Sequence, residues 1–98
     1  MEIEFSAEAI SWRGPAPFVF VPVPAEEADL IAQRAAELTY GWGAIPVRAR
    51  IGRTDFTTSL FPRDGTYLVP VKLAVQRAEG VEVGDVVTVR LRLGPERA

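Results

Sequence analysis

The chain is 98 residues long, 48% of them apolar, carries a formal net charge of −2, and contains neither histidine nor cysteine. At that length a single core is expected, and a domain of this size buries roughly 60 to 70% of the surface its unfolded chain exposes, enough to fold without staples. The two missing residue types exclude disulfides, thiol catalysis, Ser-His-Asp and Cys-His machinery, and thiolate or imidazole metal sites, so no metal or other cofactor is expected.

Charge and hydropathy narrow the class further. No stretch approaches the ~20 apolar residues that cross a bilayer, so no membrane partner is expected. The start, MEIEFSAE, is acidic and alternating, unlike a signal peptide's basic start and apolar run. A cytoplasmic protein is the expectation. Ten of the eleven basic residues are arginine and Lys72 is the only lysine, a skew that suggests a GC-rich bacterial genome. Residues 1–49 hold three arginines and seven acids, for −4, whereas residues 50–98 hold eight basic residues and six acids, for +2. Nucleic-acid binders cluster basic groups to neutralise phosphates, and this balance falls short of that pattern.

Ile3, Phe5, Ala7 and Ala9 alternate with Glu2, Glu4, Ser6 and Glu8, the period of a half-buried strand. Residues 12–17, with Gly14, Pro15 and Pro17, read as a loop. Phe18 to Val23 is a second strand, closed by Pro22 and Pro24. Pro24 suits a first helical turn, where its missing N–H costs nothing, and Glu26, Glu27 and Asp29 favour the positive end of the helix dipole. Ala28, Ile31, Ala35 and Leu38 make one apolar stripe, and Gly41 is the expected stop.

Val47, Ala49 and Ile51 alternate with Arg48 and Arg50, and Phe56, Thr58 and Leu60 alternate with Asp55, Thr57 and Ser59. Gly52-Arg53 between them suits a two-residue type II′ hairpin, which sets Arg50 opposite Asp55 and Ala49 opposite Phe56. Pro62-Arg63-Asp64-Gly65 reads as a turn, with proline early and glycine late. Thr66 to Val69 is a short strand. Pro70 then leads a helix of about two turns carrying Val71, Ala74, Val75 and Ala78, ended by Gly80. After a Gly84-Asp85 turn, Val87, Val89, Leu91 and Leu93 alternate with Thr88, Arg90 and Arg92 in a last strand, and the tail beyond Gly94 is expected to fray.

Laid side by side, the two halves repeat one order: a strand with phenylalanine (Phe5, Phe56), a turn, a Val-Pro-Val triplet, a helix, a glycine and an arginine-bearing strand. The triplets are Val21-Pro22-Val23 and Val69-Pro70-Val71, and the last elements are VRARI from Val47 and VRLRL from Val89. The fold expected is mostly β: a small split β-barrel of about six strands with two helices and a pseudo-two-fold internal repeat, with half-barrels at about 1–51 and 52–94. On that symmetry the first and last strands run antiparallel side by side and Arg92 faces Glu4. The barrel is then complete without a second protomer.

Gly41-Trp42-Gly43, Ile45-Pro46-Val47, Thr58 to Pro62, Tyr67 to Lys72 and Gly84-Asp85 resemble the bacterial family catalogued as domain of unknown function 1905, along a stretch from about Trp12 to Leu93. The resemblance implies a split β-barrel. Gln76-Arg77 departs from the family's pattern, which tends to carry arginine after valine there, and that weakens any role for a basic group at position 76. A looser similarity, through Leu68-Val69-Pro70, Gly80 and Gly84-Asp85, is to the half-barrel of AbrB-like regulators and antitoxins, many of which bind DNA as dimers. Fold alone transfers no function.

The remaining chemistry is carboxylates, hydroxyls, arginines and Lys72. Glu2, Glu4 and Glu8 share a strand face, and a solvated face explains them better than paired-carboxylate catalysis does. Glu26 and Glu27 fit helix-start electrostatics. Tyr40 and Trp42, between glycines that let a backbone approach closely, could stack a ligand, although a helix cap whose tryptophan plugs the barrel is the plainer reading. Thr57, Thr58 and Ser59 beside Arg53 and Arg63 could bind an anion, and Lys72 could meet an acidic ligand. Arg48, Arg50, Arg90 and Arg92 could form a basic stripe, with pairing to Asp55 and the N-terminal glutamates the favoured reading. The expectation is therefore a non-enzymatic binding module with an unknown protein or small-molecule ligand. Its candidate ligand site is Tyr40, Trp42, Arg53, Phe56, Thr58 and Lys72. The alternatives are an AbrB-like nucleic-acid regulator, with nucleic acid disfavoured by charge, and an enzyme using carboxylates or Lys72.

Overall fold

The computed structural model describes residues 1–12, 18–34 and 45–93. In chain order the elements are β1 (Glu2–Glu8), β2 (Ile10–Trp12), β3 (Phe18–Pro22), α1 (Ala25–Gln33), β4 (Ile45–Ile51), β5 (Thr54–Arg63), β6 (Thr66–Val71), α2 (Leu73–Glu79) and β7 (Val86–Leu93). The seven strands lie in the order β1-β7-β4-β5-β6-β3-β2. β1 and β2 stand at the two ends of that order, yet only Ala9 separates them in the chain. The sheet therefore curls into a half-barrel whose ends approach at that residue.

Ala9 is 1% exposed, and its backbone is clamped by the turn that leads into β7: its N–H donates to Asp85 O at 2.8 Å and its carbonyl accepts from Gly84 N at 2.8 Å. Gly84 reaches that contact with φ +96, a conformation L side chains rarely adopt. β5 turns a second corner without a break. Its first part pairs with β4, from Thr54 to Leu60, and its last three residues, Phe61 to Arg63, pair with β6.

Strict alternation explains the two central charged strands. β4 and β7 each alternate buried and exposed residues from end to end. Their inward residues join Ile3, Phe5, Phe56 and Leu60 and the valines of β3 and β6 in one core cluster. The hairpin at Gly52-Arg53 has the expected register, with Arg50 opposite Asp55 and Ala49 opposite Phe56, and Gly52 sits at φ +58. β1 and β7 are antiparallel neighbours, and Leu93 N–H donates to Met1 O at 2.8 Å.

Several expectations need correction. Glu4 lies opposite Arg90 rather than Arg92, and Glu2 takes the place opposite Arg92. Glu8 and Ala9 supply two residues at the first corner that β5 does not need at its own, so the paired part of β1 slides by two. Pro62 and Arg63 belong to β5, and Asp64 and Gly65 alone make the turn, with φ 48 and φ 81. That pair of left-handed residues is a type I′ hairpin. Trp12 ends a strand rather than opening a loop, and Val71 belongs to β6 rather than to the helix. Helix α1 ends at Gln33 with Arg34 as its cap, and Gly41 lies outside the described residues.

The two helices of the described residues rest lightly on the sheet. α1 buries Ala28 and Ile31, and α2 buries Val75 alone. α2 is tied at both ends: Gln76 Nε2 donates to Val71 O at 2.8 Å, and Gly80 caps the helix with φ 63. Among the described residues no helix is long and apolar enough to cross a membrane.

Candidate functional site

β4 and β7 lie side by side, and their registers set arginine against arginine: Arg48 opposite Arg92 and Arg50 opposite Arg90. The next strands continue the two rows. One reads Glu2–Arg92–Arg48–Thr57 and the other Glu4–Arg90–Arg50–Asp55. All these residues point outward because every neighbour before and after the arginines faces the core.

The outer acids pair with the inner arginines. Arg90 Nη2 lies 3.0 Å from Glu4 Oε1, Arg92 Nη2 lies 3.4 Å from Glu2 Oε2, and Arg50 Nη1 lies 3.7 Å from Asp55 Oδ2. Arg50 Nε also donates to Gly52 O at 3.2 Å. Between the two rows is a cavity of about 240 Å³, lined by Arg48, Arg50, Arg90 and Arg92 with Ala49, Glu2 and Asp55. Four guanidiniums meet three carboxylates, Glu2, Glu4 and Asp55, across the two rows. The side chains of Arg50, Arg90 and Arg92 are about half exposed, so the cleft is open to solvent.

The residues named as a candidate ligand site take separate places. Tyr40 and Trp42 lie outside the described residues. Phe56 is buried on the inner face of β5 opposite Ala49, and Thr58 is on that same face opposite Val47. Arg53 is exposed at the hairpin, where its backbone N–H donates to Glu79 Oε2 at 3.3 Å. Thr54 Oγ1 donates to the same oxygen at 2.6 Å, so the hairpin is fastened to the last residue of α2. Lys72 caps the other end of that helix, exposed, about 10 Å away along seven residues. The arginine pattern was visible in VRARI and VRLRL. What spacing could not supply was that these two strands are neighbours in a register that pairs the arginines.

On the far side of the sheet, Leu68 and Pro70 of β6, Phe20 and Pro22 of β3 and Ile10 of β2 make a run of apolar outward positions, with Thr66 at its edge. Phe61 faces Leu68, which faces Pro22, and Pro70 faces Phe20, which faces Ile10. Phe61 is 49% exposed, and it lines a cavity with Phe20, Pro62, Arg63 and Leu68. Among the described residues no three acidic side chains converge to hold a metal ion, and no charged or polar side chain is buried.

These features define a small, mostly β protein built on a curled half-barrel sheet, with one charged and one apolar outer face. The family model of the domain of unknown function DUF1905 matches residues 5–91, and the chain belongs to that family. A comparison with curated proteins finds no match.

Proposed function

We propose that the chain is a non-enzymatic binding module that works through the cleft over β4 and β7. The observation that carries this reading is the pairing of arginine with arginine around a solvent-open cavity. Like charges directly opposite one another destabilise a sheet, so folding alone gives no reason to place them there. The absence of any buried charged or polar side chain among the described residues supports a non-catalytic role. Enzymes working near neutral pH tune their carboxylates by such burial.

We read the two halves as one duplicated strand–strand–helix–strand unit. The registers support it: Val21 lies opposite Val69 and Ala49 opposite Leu91, so each residue meets its counterpart across the sheet. One chain then supplies both half-barrels, and the module needs no second protomer to complete its sheet. A cytoplasmic, bacterial setting fits the lack of cysteine and the arginine-rich composition.

A thermal-shift panel of anionic, neutral and cationic small molecules tests the binding reading. A ligand at a hundredfold excess over its Kd adds about 2.7 kcal/mol, which moves a domain of this size by about 10 °C or more. Anions alone are expected to stabilise the protein, and the double variant Arg48→Gln/Arg92→Gln should lose the response. Turnover of any panel member, or no response to any class, would overturn the reading. The four arginines on one sheet also favour a second reading, an AbrB-like duplex binder, which the flanking Glu2, Glu4 and Asp55 oppose. A gel shift with submicromolar, sequence-dependent affinity at physiological salt would promote it.

A further inference from the structure

Independently of the cleft, we propose that the outer edge of β1 takes an extended, basic segment of a partner protein as an added antiparallel strand. The backbone pattern, the length of the edge and its side chains each point to this partner.

Met1 and Leu93 exchange both backbone bonds, Met1 N donating to Leu93 O at 3.1 Å and Leu93 N–H to Met1 O at 2.8 Å. In an antiparallel ladder such pairs alternate with pairs whose backbone groups point away from each other. Met1, Ile3, Phe5 and Ala7 therefore turn their N–H and C=O groups to β7, and Glu2, Glu4 and Ser6 turn theirs to the opposite side. Among the described residues no strand pairs with β1 on that side, since β1 ends the strand order and β2, beyond Ala9, pairs with β3. β1 pairs over seven residues without proline or bulge, whereas β2, at the other end of the order, is three residues long. A long, straight row of unpaired N–H and C=O groups is a template for another strand.

The side chains decide which strand. Every antiparallel register of β1 against a second β1, apart from the short overlap of Ser6 with Glu8, sets glutamate directly opposite glutamate, and such pairs are destabilising. A strand with lysine or arginine at those places meets opposite charge. Glu4 uses only Oε1 on Arg90 and Glu2 only Oε2 on Arg92, so each keeps an oxygen for a second donor. Glu8, exposed at the end of the same strand, forms none of the ion pairs of the described residues. A basic residue opposite these acids stands roughly 5 Å from them and about twice as far from the arginines behind. The residues between fall beside Ile3, Phe5 and Ala7, at the rim of the core, and so are apolar.

The test is a ¹⁵N–¹H NMR titration with an end-capped peptide alternating lysine and valine. Saturable shifts are expected at the amides of Glu2, Glu4, Ser6 and Glu8, with slowed hydrogen exchange at Glu4 and Ser6. In the proposed pairing the lysines lie opposite those residues and exchange both backbone bonds with them, so the lysine N–H groups face β1 and the valine N–H groups face away. Methylating the backbone nitrogens of the lysines should therefore weaken binding by about tenfold or more, and methylating those of the valines should leave it within about threefold. Glu8→Lys should weaken it by about two- to fivefold, and a peptide with glutamate for lysine should not bind. The cleft reading is tested separately, by anions and by Arg48 and Arg92. Equal losses from the two methylated peptides, shifts confined to Phe20, Phe61 and Leu68, or no saturation would overturn the proposal. So would β1 shifts that follow protein concentration without peptide, which would give the edge to a second copy.

Discussion

On the side of β1, β7, β4 and the first part of β5, the outward positions carry glutamates, arginines and Asp55; on the side of β6, β3 and β2 they carry Phe61, Leu68, Phe20, Pro22, Pro70 and Ile10. The inward positions of the two regions are alike. Val89, Leu91 and Leu60 on one side and Val21 and Val69 on the other are all fully buried. Alternation toward the core is a condition of folding, and both regions meet it. The outer positions are under no such condition, so what stands there reports on something else. Charges placed like against like are the clearest case, because they cost stability wherever nothing binds them.

If the two regions share one core, damage to either should be felt by the whole. Leu91→Ala, from the charged side, is expected to cost about 2–5 kcal/mol, and Val69→Ala, from the apolar side, about 1.5–3 kcal/mol. Both variants should unfold in a single urea transition followed by circular dichroism. Two separate transitions would break the comparison and make the regions independent units.

The two hairpins sharpen the contrast between the regions. Gly52 and Gly65 both have positive φ, so alanine at either position costs roughly 1–2 kcal/mol of backbone strain. Nothing lies near a Cβ added at Gly65, whereas at Gly52 it would run into the Glu79 carboxylate. That side chain would have to leave Arg53 N and Thr54 Oγ1, at a further loss of about 1 kcal/mol for each bond. Gly52→Ala is therefore expected to destabilise the protein by about 3–4 kcal/mol and Gly65→Ala by about 1–2 kcal/mol. Equal losses in urea denaturation would show that Glu79 does not fasten the hairpin.

The sequence made much of this legible because local rules decided it. Glycine first in a two-residue loop set the β4–β5 register, and alternation named the inward residues of β4 and β7. The apolar outer face was not legible. The run from Phe18 to Val23 is apolar on both faces, so periodicity could not separate them. The arginine cleft depends on which strands become neighbours, a long-range fact that no window contains. The separate candidates Arg53, Phe56, Thr58 and Lys72 were chosen by residue type, and the fold distributes them between a hairpin, the core side of β5 and the start of α2.

The smallest effect tests the register of the charged face itself. The duplication proposed above predicts Glu4 against Arg92, but the two residues at the Ala9 corner move β1 along, and Glu4 meets Arg90 at 3.0 Å. Both side chains are more than half exposed, so solvent screens the pair and its contribution is about 0.2–1 kcal/mol. A double-mutant cycle with Glu4→Gln and Arg90→Gln should recover a coupling of that size, since the two groups are in contact. The cycle of Glu4→Gln with Arg92→Gln should give less, because Arg92 spends its ion pair on Glu2. Raising the salt to 1 M shortens the screening length to about 3 Å and should erase most of the Glu4–Arg90 coupling. The same salt should stabilise the protein against its own arginine pairs, since repulsion between Arg50 and Arg90 is screened as well. A larger coupling of Glu4 to Arg92 than to Arg90 would restore the symmetric register and shift the arginine rows relative to their acids.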